Sequence, residues 1–420
     1  MARFNAHSPR QRSRPMWPPL GAAALVATLL VVSGCGGPNL TGLNYVVAGM
    51  LPQDYAAHGV NKGRAQEAGA VHLEGEIGPG ALWTIDQPDT WNGDLVVYLH
   101  GYLDPALPVL EPGAQPGFAP IRDALLTRGF AVVASSYSTN GYAVKEGMEQ
   151  SHQLSGLFAS RVSQPKRTFL LGQSMGGLIG LLLTQKFPTQ YNGTLLVCGV
   201  VGGSDDEVQY LGDIRVLFDA VYPGVLGGDL EHPPVITDVN AQVIGPVLAA
   251  VGGNPQGLGI IQLLARHPLA GANSQEVVTS LLSALIFGLE GGGDLLDRAH
   301  GHTFFDNADW RYTSPALPAA LLDDINARVV RYRVDPAALA FLQQYGEPSG
   351  AIRVPLISMY TSRDPVVPSF HEDLLAQASA GPMLVQRQTQ RFGHVNFSVD
   401  ELMSNFDDLV AWVTSGQRPI

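Results

Sequence analysis

The stretch "FLLGQSMGGLIG", Phe169–Gly180, interrupts an apolar run with Gly172-Gln173-Ser174-Met175-Gly176, so that a serine stands with glycines two residues before and two after it. On its amino-terminal side "RTFLLGQ" (Arg167–Gln173) reads as a buried strand. On the other, "GGLIGLLLTQKFP" (Gly176–Pro188) reads as a helix stopped by proline. Ser174 therefore falls on a strand-to-helix turn. Such a turn exposes a serine hydroxyl close to a helix amino terminus, where backbone N–H groups favour negative charge. Side chains at positions 172 and 176 would obstruct the approach of strand and helix, which accounts for both glycines.

Working outward, the same alternation recurs. "DLVVYLHG" (Asp94–Gly101) and "FAVVASSYS" (Phe130–Ser138) read as buried strands, and "IRDALLTRG" (Ile121–Gly129) between them as a helix closed by glycine. A helix over Val144–Arg161 precedes the Arg167–Gln173 strand, and "GTLLVCGVVGG" (Gly193–Gly203) reads as the next strand. For roughly 140 residues after that, amphipathic segments follow without strands. The alternation resumes at "VPLISMYTSRD" (Val354–Asp364), followed by a helix (Phe370–Ala378), a strand (Met383–Arg391) and a final helix (Ser398–Ser415). Strands and helices alternating at this spacing predict an α/β fold with a mostly parallel sheet, helices on both faces and a mainly helical insertion. The expected divisions are a core in two parts, 71–204 and 348–420, an insertion over 205–347 and a lead-in over 35–70.

A serine becomes a useful nucleophile when a base takes its proton and a third group orients that base. His394, in "RFGHVNF", follows the last strand and is the candidate base. His371 lies within a helix and is expected to face solvent, while His232, His267, His300 and His302 fall in the insertion. Asp364, directly after "VPLISMY" and before Pro365, is the candidate acid; its rival is the Asp205-Asp206 pair after the preceding strand, Asp206 above all. A tetrahedral intermediate also needs N–H donors, each worth ~3 kcal/mol in such a site. The Met175 N–H supplies one, and the loop of "LHGY" (Leu99–Tyr102) the other, through Tyr102. His100 is expected to brace that loop by hydrogen bonding. His300 and His302 in "AHGHTFFDN", with Asp306 nearby, would face one side only in an extended segment and lack a third metal ligand at suitable spacing, so they read as ordinary loop residues.

With these residues in order, "LHGY", "GQSMGG", "SRDPVVP" and "GHVNF" resemble the landmarks of the α/β-hydrolase superfamily, and the insertion stands where such enzymes often carry a cap. The resemblance implies a serine hydrolase of carboxylic esters, with Ser174, Asp364 and His394 as triad and Met175 and Tyr102 at the oxyanion hole. It implies a small-molecule or polymeric ester as substrate, no cofactor and no metal. The single-glycine "HGY" departs from the longer glycine run of some esterases. Two other readings stay open. One is a secreted peptidase of the same fold, binding a substrate amine through Glu290, Asp294, Asp297 or Asp306. The other is a catalytically silent binding module.

Composition sets the frame. The 420 residues are 45% hydrophobic and 15% charged, with a formal net charge of −12, which argues against nucleic acid as a partner because phosphate binding needs a basic face. The first fifteen residues carry Arg3, Arg10, Arg12 and Arg14 and no acid. An uncharged apolar run, Leu20–Val32, follows and is too short to cross ~30 Å of hydrocarbon. That order reads as an export signal over 1–34. "VSGC" (Val32–Cys35) resembles the bacterial lipobox, which implies a lipidated Cys35 anchoring an exported protein to a membrane. Cys198 is then the one remaining cysteine, and no disulfide is expected.

Overall fold

The computed structural model of the chain describes residues 70–379 and 381–420. The export signal over 1–34 and the lipidation reading at Cys35 lie outside the described residues. Among those described are eight strands: β1 (Val71–Ile77), β2 (Ala81–Gln87), β3 (Asp94–Leu99), β4 (Ala131–Ser135), β5 (Arg167–Gln173), β6 (Gly193–Val197), β7 (Leu356–Arg363) and β8 (Leu384–Phe392). They form one sheet in the order β1-β2-β4-β3-β5-β6-β7-β8. The pairs β1–β2 and β2–β4 are antiparallel, and every other neighbouring pair is parallel.

All six residues of β3 are buried, because the sheet is covered on both faces. Val96 and Tyr98 pack with Phe118, Ile121 and Phe406 on one side. Leu95, Val97 and Leu99 pack with Phe158 and Leu178 on the other. This is the two-residue period of a strand with an apolar partner on each face, hence its continuous apolar run. The covering helices are the crossovers α1 (Phe118–Thr127), α2 (Val144–Arg161) and α3 (Met175–Lys186). At the end of α1 the chain turns at Gly129, φ +84°, a conformation open to glycine at little cost.

Between β6 and β7 the described chain is helical: α4 (Ser204–Val221), α5 (Gly245–Gly253), α6 (Pro255–Leu264), α7 (Ser274–Arg298), α8 (Ala319–Arg328) and α9 (Pro336–Tyr345). These helices carry their own core, in which Ile214, Leu217 and Phe218 of α4 meet Leu281, Leu282 and Leu285 of α7. Burying each such side chain contributes about 1.5–3 kcal/mol, so the insertion is held by its own packing and not only by the sheet. The chain returns through β7 to α10 (Phe370–Ala378), β8 and α11 (Val399–Ser415). Ser398 and Glu401 form a reciprocal capping box at the start of α11, satisfying two backbone N–H groups that a helix start leaves open.

The order of the sheet positions the site. From β3 the chain crosses to β4 on one side, and from β4 it crosses back past β3 to β5 on the other. At such a reversal the loops leaving the adjacent carboxyl ends part, leaving a crevice where ligands bind. Here those are the loops after β3, at Leu99–Tyr102, and after β5, at Ser174.

Candidate active site

Ser174 is the residue between β5 and α3, at φ 55° and ψ −123°, a backbone conformation that side chains other than glycine rarely adopt. Its surroundings hold it there. Its N–H donates to Val197 O at 2.9 Å, and its own carbonyl accepts from Gly177 N at 2.8 Å. A Cβ at Gly172 would stand 2.1 Å from Gly176 O, and one at Gly176 would stand 2.1 Å from Leu99 O. Both glycines are therefore required by close backbone approach, as the spacing of the motif predicts. Met175 opens α3, so its N–H has no carbonyl four residues back within the helix to receive it.

The loop after β3 runs beside the serine: a Cβ at Gly101 would stand 3.2 Å from Ser174 Cβ and 3.7 Å from its Oγ. Tyr102 follows, its ring packed on Phe287 of α7 at 4.9 Å. His100 is buried and stacks on Tyr137 at 3.8 Å. Its Nδ1 lies 2.7 Å from Gly101 O and its Nε2 lies 3.1 Å from Ser136 O. Burial holds its pKa down at about 4 against those two carbonyls, so the ring is neutral near pH 7 and donates to one of them. His100 braces the loop, as expected from the sequence.

On the neighbouring strands, His394 Nδ1 lies 2.8 Å from Asp364 Oδ2. The other oxygen, Asp364 Oδ1, accepts the N–H groups of Val366 at 2.9 Å and Val367 at 3.0 Å. Asp364 is 1% exposed, so these contacts fix its orientation from both oxygens. The two N–H donors follow from the turn that "DPVVP" encodes, since aspartate commonly caps the residues two and three further on. Cys198, directly after β6, is a buried free thiol at φ 47°. Its Sγ, an Asp364 oxygen and a His394 ring nitrogen lie within 4.8 Å of one another. Burial, then the charge of Asp364, pushes the thiol well above its ordinary range, so it is a neutral neighbour of the pair. Sequence reading did not anticipate it beside Asp364.

The other sequence candidates fall elsewhere. Asp205 and Asp206 begin α4, and the Asp205 N–H donates to Glu347 Oε1 at 2.8 Å. His302 Nδ1 stands 3.2 Å from Asp335 on the surface of the insertion. Asp294 accepts from Tyr142 N at 2.5 Å and from Arg298 Nε at 3.0 Å, and Asp306 accepts from Ala308 and Val334 N–H groups. The solvent-facing expectation for His371 is overturned. It is 1% exposed, with Nε2 2.7 Å from Glu207 Oε2 and Nδ1 accepting from Gly202 N at 3.2 Å. Glu207 and His371 are 164 residues apart in sequence, and helical spacing alone could not show that α4 would cover this face of α10.

Ser174 opens on a cavity between the core and the helical insertion. The core contributes Tyr102, Leu178 and Val367 to its wall, and the helical insertion contributes Leu211, Phe287 and Leu295. Val367 thus joins the two halves of the site, its N–H on Asp364 and its side chain in the wall beside Ser174.

The sheet order, its two antiparallel pairs at the β1 edge beside otherwise parallel neighbours, and the serine turn after β5 define the α/β-hydrolase fold, and this chain has it. No protein-family model matches the chain, and no curated protein matches it. Among solved structures it is similar to an esterase from Pyrococcus furiosus at 12% identity, covering 88% of this chain and 95% of that one with a TM-score of 0.40. It is similar also to the mouse alpha/beta hydrolase domain-containing protein 10, at 10% identity over 81% and 98% of the two chains, TM-score 0.38. An esterase from Exiguobacterium antarcticum matches at 14% identity over 80% and 96%, TM-score 0.36. These are likenesses of chain path. Chemistry has to be read from this chain's own atoms.

Proposed function

We propose that the protein is a serine hydrolase that cleaves carboxylic esters through an acyl-serine intermediate. His394 takes the proton of Ser174 as the hydroxyl attacks the ester carbonyl, with Asp364 holding the imidazole by its Nδ1–H. The N–H groups of Met175 and Tyr102 bind the oxyanion of the tetrahedral intermediate. His394 then protonates the leaving alcohol and, in the second half-reaction, activates the water that releases the acid. The helical insertion acts as a cap, and its wall residues receive the acyl group.

The observation that carries this reading is the strained serine turn opening on the cavity at the same sheet edge from which the 2.8 Å Asp364–His394 pair emerges. The apolar wall suits an acyl chain better than a charged peptide terminus. Against the peptidase reading, Asp294 and Asp306 already accept hydrogen bonds from their own chain. We also propose that the protein is exported and tethered by lipid at Cys35, on the strength of the basic and apolar order of residues 1–34 and the small residues before Cys35.

The experiment is hydrolysis of p-nitrophenyl esters beside aminoacyl p-nitroanilides, by the wild type and by Ser174→Ala. Wild-type turnover of the esters is expected to fall by about 10⁴-fold or more in the variant, with melting temperature and circular dichroism unchanged. A folded Ser174→Ala protein that still cleaves esters at the wild-type rate removes the mechanism. Faster cleavage of the anilides than of the esters moves the assignment to a peptidase.

A further inference from the structure

The wall of the cavity beside Ser174 is apolar except for a few groups. Of these, the Tyr142 hydroxyl and Ser204 Oγ are 2.5 Å apart and satisfy each other. Glu207 is different. It is 7% exposed, it lines the cavity, and only one of its oxygens is used within the protein. His371 Nδ1 accepts the Gly202 N–H, so the proton of the neutral ring sits on Nε2 and is donated to Glu207 Oε2. Glu207 Oε1 is buried with no hydrogen-bond partner. Tyr102 lines the same cavity, and its hydroxyl is likewise buried without a partner.

A buried carboxyl is an expensive thing to place in an apolar wall, and a half-satisfied one more so. The His371 contact fixes the orientation of Glu207 from behind, as a group that positions a binding side chain does. Burial pushes the Glu207 carboxyl above its usual range, only partly offset by His371, which makes the site less suited to a permanent cation than to a neutral donor. A hydroxyl meets the requirement in either protonation state of Glu207, since it can donate and accept.

Building on the ester-hydrolase reading, we infer that Glu207 is a specificity-determining residue whose free Oε1, with the unpaired Tyr102 hydroxyl of the same cavity wall, binds a hydroxyl group carried on the acyl chain, so that the substrates are esters of hydroxylated acids. A plain acyl chain would leave both buried polar atoms unpaired. Sites built to hydrogen-bond a substrate hydroxyl discriminate strongly against the analogue that lacks it.

The test compares kcat/KM for p-nitrophenyl hexanoate with that for its 2-, 3- and 6-hydroxy counterparts and for p-nitrophenyl 6-aminohexanoate. In the wild type at least one hydroxylated ester is expected to exceed hexanoate by about tenfold or more. In Glu207→Leu, checked for a native melt, that ratio is expected to collapse toward one. Hexanoate equal to or faster than every hydroxylated ester in the wild type overturns the inference without any variant. Survival of the ratio in folded Glu207→Leu overturns it also, and a preference for the amino ester replaces the hydroxyl by an ammonium group. Hydroxylated and plain esters cleaved alike, with Ser174→Ala inactive, strikes this inference alone. Failure of the wild type on every ester strikes the ester-hydrolase reading, and this one with it.

Discussion

Asp364 is held so that its two oxygens are not interchangeable. Oδ1 accepts two backbone N–H groups, and Oδ2 faces His394 Nδ1. An asparagine in its place would keep its oxygen on the two N–H donors and turn its NH₂ toward His394. That NH₂ would donate to Nδ1 and move the imidazole proton to Nε2, the nitrogen that accepts from Ser174 in the proposed mechanism. The expected result for Asp364→Asn is a loss in kcat of about 10⁴-fold with the fold retained. Asp205→Asn and Asp206→Asn are expected to stay within about threefold of wild type, because both side chains belong to the first turn of α4 and not to the His394 contact. Steady-state kinetics on one chromogenic ester checks all three. A crippled Asp206→Asn beside an active Asp364→Asn would move the acid to the rival position.

At the scale of elements, the junction between the sheet and the insertion contains an acid under pressure. Glu347, just beyond α9, accepts the Asp205 N–H at the start of α4. Burial, then the nearby charges of Asp205 and Asp206, pushes its pKa up to about 8. An acid whose folded pKa lies above its unfolded value of ~4.3 holds a proton in the folded state that the unfolded state has already lost. Stability from this group is therefore whole below about pH 4 and falls as pH rises through the interval up to about 8. Glutamine keeps the acceptor for Asp205 N–H and removes the ionisation. Glu347→Gln is expected to gain in stability over wild type progressively from pH 5 to pH 8, by at most about 1.4 kcal/mol per pH unit, read as a rising difference in melting temperature. Parallel melting curves for the two proteins across that range would show that Glu347 is not ionising under strain.

For the whole molecule, the prediction concerns where it works. The described residues begin at 70, and the tether reading rests on sequence upstream of them. Cys35→Ala is expected to shift the protein from the membrane fraction to the soluble fraction, or to halt its maturation, in a bacterial host that processes lipoproteins. Fractionation with mass spectrometry of the amino terminus checks it. Unchanged membrane association with an unmodified terminus would end the lipoprotein reading. The cap proposal belongs to this scale too, because a cavity walled by Leu178 from the core and by Leu211, Phe287 and Leu295 from the insertion exists only once both parts have folded together.

What the chain announces in its own order is the local part. The helices over Val144–Arg161 and Phe370–Ala378 and the strand over Arg167–Gln173 begin and end where periodicity and turn residues place them, since those signals act within a few residues. Ser174 on its turn was legible for the same reason, with Gly172 and Gly176 marking the close approach. The strand after it was overread: it stops at Val197 and not at Gly203. Cys198 turns the chain at a positive φ, which its small apolar neighbours do not reveal. Asp364 and His394 could be named from strand order, but their 2.8 Å contact, the thiol of Cys198 beside them and the Glu207–His371 pair could not. Those depend on strands and helices up to 164 residues apart being packed by burial of apolar surface. Burial is indifferent to distance along the chain, so only the tertiary structure decides which buried polar groups meet.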